Sequence, residues 1–215
     1  MFLLTVNFLS DLAQNNNKAW FEANRARYER EVRAPAVAFV EAIAPRLAGI
    51  APQLGAVATG TGSSISRMHR DTRFSADKSP FKDWIGFHFR GESGKEGPGL
   101  YLRIAPDRCG IGVGIWMLEP ADLRKVRQRM AAGQDWAPVR AALDAGGFSF
   151  IGDSLKRTPK EFPADHPFAE DLRRQTLAAG RPVDPALPAP EFCAAVEQGW
   201  RAGLPLLQFL ERSLA

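Results

Sequence analysis

Apolar residues along this chain first recur at helical spacing, then alternate with polar ones, then return to helical spacing. Between Asn7 and Gln14, Phe8, Leu9 and Leu12 fall on one helical face. The Asn15-Asn16-Asn17 run that follows suits a turn and the N-cap of a second helix. From Trp20 onward, Trp20, Phe21, Tyr28, Val32, Phe39, Val40, Ile43 and Leu47 keep one apolar stripe, with charges on the other side. Pro35 and Pro45 each lack an amide proton and crowd the preceding turn, so the pattern predicts two or three helical pieces before Pro52.

After the turn Thr59 to Gly62 the period becomes two. Ser64 to Arg70, Lys82 to Arg90, Leu100 to Pro106 and Gly110 to Met117 read as strands, with Gly91 to Gly99 as a polar loop between the second and third. Short connections favour antiparallel pairing. On the last of these strands Gly110, Gly112, Gly114 and Trp116 share a face, and such a glycine stripe admits a close neighbour: a packed helix, or the floor of a ligand groove. Helical spacing resumes at Pro120, with Leu123, Val126 and Met130 before Gly133, and again around Pro138 to Leu143. Residues 159 to 190 hold seven of the 16 prolines and read as an extended strap with one short helix near Phe168 to Leu177. Two closing helices follow, Glu191 to Ala202 and Pro205 to Leu214. Helices, then strands, then helices is the α+β order. The expected fold is an antiparallel sheet of at least four strands, about residues 64–117, packed by N-terminal and C-terminal helices.

With 215 residues, 45% of them hydrophobic, the chain can bury one sizeable core, and a single domain is the default expectation. No apolar run reaches the roughly 18 residues of a membrane-spanning helix, and the start lacks the basic region and cleavage site of a secretory signal. A cytoplasmic protein with no membrane partner is therefore expected. Cys109 and Cys193 stand in unrelated contexts, so both read as small buried hydrophobes rather than disulfide or zinc ligands. A net charge of +4 permits an anionic partner but falls short of a dedicated nucleic-acid binder. The excess is concentrated: between Arg67 and Lys82 the cations Arg67, Arg70, Arg73, Lys78 and Lys82 meet only Asp71 and Asp77.

Several short matches lack the context their chemistry needs. His69-Arg70-Asp71 has the letters of a kinase catalytic loop but no glycine-rich phosphate loop, Asp-Phe-Gly or correctly spaced Asn. Gly110-x-Gly-x-Gly lacks the strand, turn and helix order of a dinucleotide site, and Thr59-Gly-Thr-Gly-Ser-Ser lacks the P-loop lysine. Among His69, His88 and His166 no pair has the spacing of a helical zinc site, and no Gly-x-Ser-x-Gly elbow occurs. Neither a metal nor a cofactor is expected.

What stands out is Arg67-x-His-Arg-Asp-x-Arg-Phe-Ser-x-Asp-Lys-Ser-Pro-Phe-Lys82, which packs guanidinium, ammonium, carboxylate and hydroxyl groups between two apolar stretches. On a strand, Arg67, His69 and Asp71 would share a face. Ser75, Asp77, Ser79 and Pro80 favour a well-fixed turn after it. This segment resembles the signature of the domain of unknown function 2461 family of bacterial proteins. The resemblance extends to Phe8-Leu-x-x-Leu12, Asn16-x-Lys-x-Trp-Phe21, Tyr101-Leu-x-Ile104, Gly112-x-Gly-x-Trp116, Leu155-Lys-Arg-x-Pro159 and His166-Pro167. It implies no activity. Phe81 stands where the family usually has Tyr, so a phenol is missing there.

Three readings of the segment follow from its chemistry. In the first, Arg67, Arg70, Arg73, Lys78 and Lys82 form a pocket for a small phosphate- or carboxylate-bearing ligand, because a guanidinium fork matches such oxygens. His69 would be the general acid or base there, with Asp71 or Asp77 orienting it as the catalytic set. In the second, the arginines pair with Asp71 and Asp77 as a non-enzymatic, salt-bridged strut. The third, less favoured, is non-specific nucleic-acid binding with Trp84, Phe87 or Trp116 stacking on bases.

Overall fold

The computed structural model describes residues 1–91 and 97–215. Two compact units are built from interleaved segments: Met1–Phe89, Tyr101–Ile111 and Pro182–Glu197 form the first, and Arg90–Leu100, Gly112–Arg181 and Gln198–Ala215 the second.

The first unit begins with α1 (Leu3–Gln14), α2 (Lys18–Ala23) and α3 (Arg25–Tyr28). A five-residue π-helical turn, Glu29–Arg33, then leads into α4 (Ala34–Ile50). Asn17 caps α2, its side-chain oxygen accepting the Trp20 amide at 2.9 Å, as the asparagine run suggested. Neither proline breaks α4. Pro35 lies in its first turn, directly after the π-helical turn, while Pro45 sits inside it. An interior proline costs about 3 kcal/mol, but Phe39, Val40, Ile43 and Leu47 on the buried face each return roughly 1.5–3 kcal/mol, so the helix persists. The core of this unit is aromatic. Phe39 is fully buried, with ring centroids 5.8 Å from Phe2, 5.0 Å from Phe87 and 5.7 Å from Phe192.

The sheet has five antiparallel strands: β1 (Ile85–Arg90), β2 (Gly99–Ile104), β3 (Gly110–Ile115), β4 (Ser149–Ile151) and β5 (Leu177–Pro182), in the order β1-β2-β3-β5-β4. The expected α+β class and antiparallel sheet are present. The membership differs in two places. Ser64 to Arg70 does not form a strand but touches its neighbours at two isolated bridges, Ile65 with Phe87 and His69 with Phe81. Instead β4 and β5 complete the sheet, paired in the register Ser149 to Gly180, Phe150 to Ala179 and Ile151 to Ala178. The proline-rich stretch thus contains a strand, because Pro182 falls at its last position and the preceding Leu177, Ala178 and Ala179 keep their amides. Residues 92–96 of the expected polar loop lie outside the described residues.

In the second unit, α5 (Pro120–Ala132), α6 (Trp136–Ala145) and α7 (Ala169–Leu172) accompany the last strands. Trp136 is fully buried, donating its indole N–H to Asp171 at 2.7 Å, with its ring 4.9 Å from Phe209. Glycine explains two close approaches. A Cβ on Gly203 would stand 2.8 Å from the Val113 side chain, so a helix packs closely on β3 at a residue outside its glycine stripe. Gly114, at φ +126°, faces the β5 backbone rather than a helix or a groove. The final helix, α8 (Ala189–Leu214), runs unbroken through Pro205 where two helices were expected; Leu206, Leu207, Phe209 and Leu210 are all fully buried and outweigh the lost hydrogen bond.

Candidate functional site

The unusual segment folds within the first unit as an arm that starts alongside β1, at Ile65 and Ser66, and leads back into it. Ser66 N–H donates to the Gly86 carbonyl at 2.8 Å, and Gly86 N–H donates to the Ser66 hydroxyl at 2.9 Å. Further out, Lys82 N–H reaches the Met68 carbonyl at 2.8 Å and Arg70 N–H the Pro80 carbonyl at 3.0 Å, closing the loop between them. Inside that loop Asp77 accepts from the Ser79 hydroxyl at 2.6 Å and the Ser79 amide at 2.9 Å, and it pairs with Arg70. The two Ser79 donors, followed by the Arg70 guanidinium, hold its carboxyl far below the usual range. Asp71 is gripped by the Arg73 fork at 2.7 and 3.0 Å and by the Arg73 amide, which also lowers its pKa. Lys78 donates to the Thr72 carbonyl at 2.9 Å. Two arginine–aspartate pairs, Arg70 with Asp77 and Arg73 with Asp71, are therefore present in the loop.

The base of the arm is fixed by Asn16. Its amide donates to the Phe81 carbonyl at 2.9 Å and its oxygen accepts the Phe81 amide at 3.1 Å, so one side chain satisfies both backbone groups. Phe81 is 3% exposed and stacks on Phe21 at 4.1 Å. Asn16→Ala would leave those two groups without partners, and a loss of about 1–3 kcal/mol is expected, read as a lower urea midpoint with an unchanged slope.

Above this base lies a concavity of about 340 Å³ bordered by Asn16, Arg70, Asp77, Ser79, Lys82, Asp83 and Trp84. The Lys82 ammonium sits 4.7 Å from the Trp84 ring centroid, with the Arg103 guanidinium 5.8 Å from the same centroid. Among the described residues Lys82 forms no ion pair, and burial lowers its pKa below the lysine range.

The eight residues singled out in sequence divide accordingly. Arg70, Asp77 and Lys82 border the concavity, whereas Arg67, His69, Asp71, Arg73 and Lys78 do not. His69 is exposed and rests its ring 5.1 Å from Phe81. Asp71 and Asp77, expected to orient it, instead bind Arg73 and the Ser79/Arg70 pair. Phe87, named as a stacking residue, is fully buried. Sequence reasoning did not assign Asn16 or Asp83 to the site; the Asn16-x-Lys-x-Trp-Phe21 pattern was the available signal for the first.

The other histidines and cysteines have structural settings. His166 Nδ1 accepts the Phe168 amide at 3.0 Å, which places its proton on Nε2 toward the Ala131 carbonyl at 3.1 Å. Cys193 is buried and Cys109 half-buried, and burial raises both thiol pKa values. Among the described residues no three His, Cys, Asp or Glu are grouped to hold a metal ion, and no helix is long and apolar enough to cross a membrane.

Fold and site together define an α+β protein with an antiparallel sheet and a basic, ion-paired loop beside a small polar concavity. The chain belongs to the DUF2461 family, described as conserved hypothetical proteins, whose profile matches residues 4–209. No curated protein and no solved structure matches the chain.

Proposed function

We propose that this protein, acting in the cytoplasm, binds a small phosphate- or carboxylate-bearing ligand in the concavity, with Lys82 as its principal anchor. The observation that carries this reading is the state of Lys82: an ammonium drawn partly out of water, over an indole ring, that forms no ion pair among the described residues although Asp77 and Asp83 border the same concavity. A cation so placed is under-compensated, and an anion in the concavity would supply the missing partner. The Ser79 hydroxyl, also on the border, is committed to Asp77, and Asp83 there can accept from a hydroxyl or amine of the ligand. Arg70, already paired with Asp77, contributes a second, weaker attraction. We assign no chemical step to His69. The pairs Arg70–Asp77 and Arg73–Asp71 favour a parallel structural role for the arginines, as struts that hold the loop in shape.

Calorimetric titration with inorganic phosphate and with citrate tests the proposal. Lys82→Met should weaken the better of the two at least tenfold, while Arg67→Ala, outside the concavity, should change it less than twofold. Equal affinity in wild type and Lys82→Met would refute it. A bound anion favours the protonated amine, so binding raises the Lys82 pKa. Affinity is then full below the free-state pKa and declines as pH rises through it, at a lower pH than for an ordinary lysine. Lys82→Arg should move that decline to higher pH.

A further inference from the structure

The second unit carries a separate group of cations that the sequence did not single out. Arg127 projects from α5, and Arg173 and Arg174 follow α7. The Arg127 Nη2 donates to the Arg174 carbonyl at 2.8 Å, which fixes the two residues side by side. Arg174 and Arg140 both lie against the Phe150 ring, at 5.2 and 5.5 Å from its centroid.

The carboxylates here are already committed. Asp144 pairs with Arg140 at 2.9 Å, and Glu170 pairs with Arg173 at 2.6 Å. Buried Asp171 accepts a hydrogen bond from the Trp136 indole N–H, lies 3.7 Å from Arg140 and attracts Arg174 from a distance. Glu161 attracts Arg127 from a distance but bonds Arg124 at 2.8 Å. Among the described residues this leaves Arg127 and Arg174 with no ion pair. Their Nε atoms, and that of Arg173, are buried without a hydrogen-bond partner. Burial also lowers the pKa of Arg127, a guanidinium deprived of water without a full counter-charge. Buried polar groups are otherwise almost always satisfied, so three such donors in one cluster are an exception that calls for a partner.

We infer that Arg127 and Arg174 form a second anion site, independent of the Lys82 concavity, for a doubly charged tetrahedral oxyanion such as phosphate or a phosphomonoester. Two guanidinium groups that lack a close ion pair match the charge of such an anion, and phosphate oxygens take guanidinium forks in bidentate fashion. Arg140 and Arg174 against the Phe150 ring leave little aromatic surface for a base or sugar, so the phosphoryl group itself is the recognised part.

The experiment uses the full chain carrying Lys82→Met, which removes the proposed site of the first unit, and measures equilibrium dialysis of radiolabelled inorganic phosphate. One site should remain, weakened at least tenfold by Arg174→Gln and by Arg127→Gln. Because a half-buried arginine can be needed for folding, Arg174→Lys and Arg127→Lys are measured beside them; they keep the charge, lose the fork, and should weaken binding at least threefold. A second reading needs no variant: phosphate should slow modification of Arg174 by phenylglyoxal in the wild type, followed by peptide mass spectrometry. Loss of all phosphate binding in Lys82→Met would overturn this inference and leave the concavity reading intact. Retained binding in the arginine variants, or no protection of Arg174, would overturn it as well. Residual binding with loss only in the arginine variants would support it whatever becomes of Lys82.

Discussion

Phe39→Ala is expected to lower the stability of the protein by about 3–5 kcal/mol, the range for deleting a buried aromatic ring. Phe39 is fully buried in α4 and meets the rings of Phe2, Phe87 and Phe192. These rings come from the start of the chain, from β1 and from the start of α8, so no one neighbour can move in to fill the space without leaving another contact. The cost includes both the transfer of the ring and the cavity that persists. Since whole domains are held by about 5–15 kcal/mol, such a loss consumes a large share of the stability. Urea unfolding followed by tryptophan fluorescence measures it. A loss below about 1 kcal/mol would mean that the aromatic cluster is not the centre of the first unit.

Gly114→Ala should be comparably damaging for a different reason. Its backbone, at φ +126°, lies where side chains are strained, at a cost of about 1–3 kcal/mol. The added Cβ would also overlap the Leu177 carbonyl oxygen and stand 2.8 Å from the Ala178 Cα, both backbone atoms of β5 that cannot swing aside. Overpacking of that kind adds about 1–3 kcal/mol. Together about 2–6 kcal/mol is expected, with amides of β3 and β5 exchanging hydrogen faster than those of α1. An alanine variant with an unchanged unfolding midpoint would contradict the backbone approach described here.

Both positions show what the amino-acid pattern reveals and what it conceals. Phe39 was legible as a member of a helical apolar stripe, and Gly114 as a member of a glycine stripe on a strand. What approaches that glycine was not legible, because β5 lies far along the chain in a proline-rich stretch. There the strand runs from Leu177 to Arg181 before Pro182 falls at its last position. The three residues of β4 are too few to show a period at all. Ser64 to Arg70 alternates like a strand, yet it pairs only at Ile65 and His69, because side chains such as the Ser66 hydroxyl take over ladder positions.

The site was legible as a composition and not as an arrangement. Five cations against two carboxylates within one short segment marked the place. Which cations remain uncompensated depends on the loop. Asp71 closes on Arg73 two residues away, and Asp77 reaches back to Arg70 through a turn fixed by Ser79. Among the described residues Arg67, Lys78 and Lys82 are left without an ion pair, and of these only Lys82 borders the concavity. Its place above Trp84 arises from Asn16 holding the Phe81 backbone, a contact across 65 residues that no local pattern encodes.

The central claim is that the concavity at Lys82 takes an anion. Crystals of the wild-type chain grown or soaked in tungstate, with anomalous diffraction recorded at the tungsten edge, test it most directly. The account predicts a peak within hydrogen-bond reach of the Lys82 ammonium and beside Ser79, absent from crystals of Lys82→Met prepared in the same way. A tungstate ion bound elsewhere on the chain, with nothing beside Lys82 in a concavity open to solvent, would contradict it.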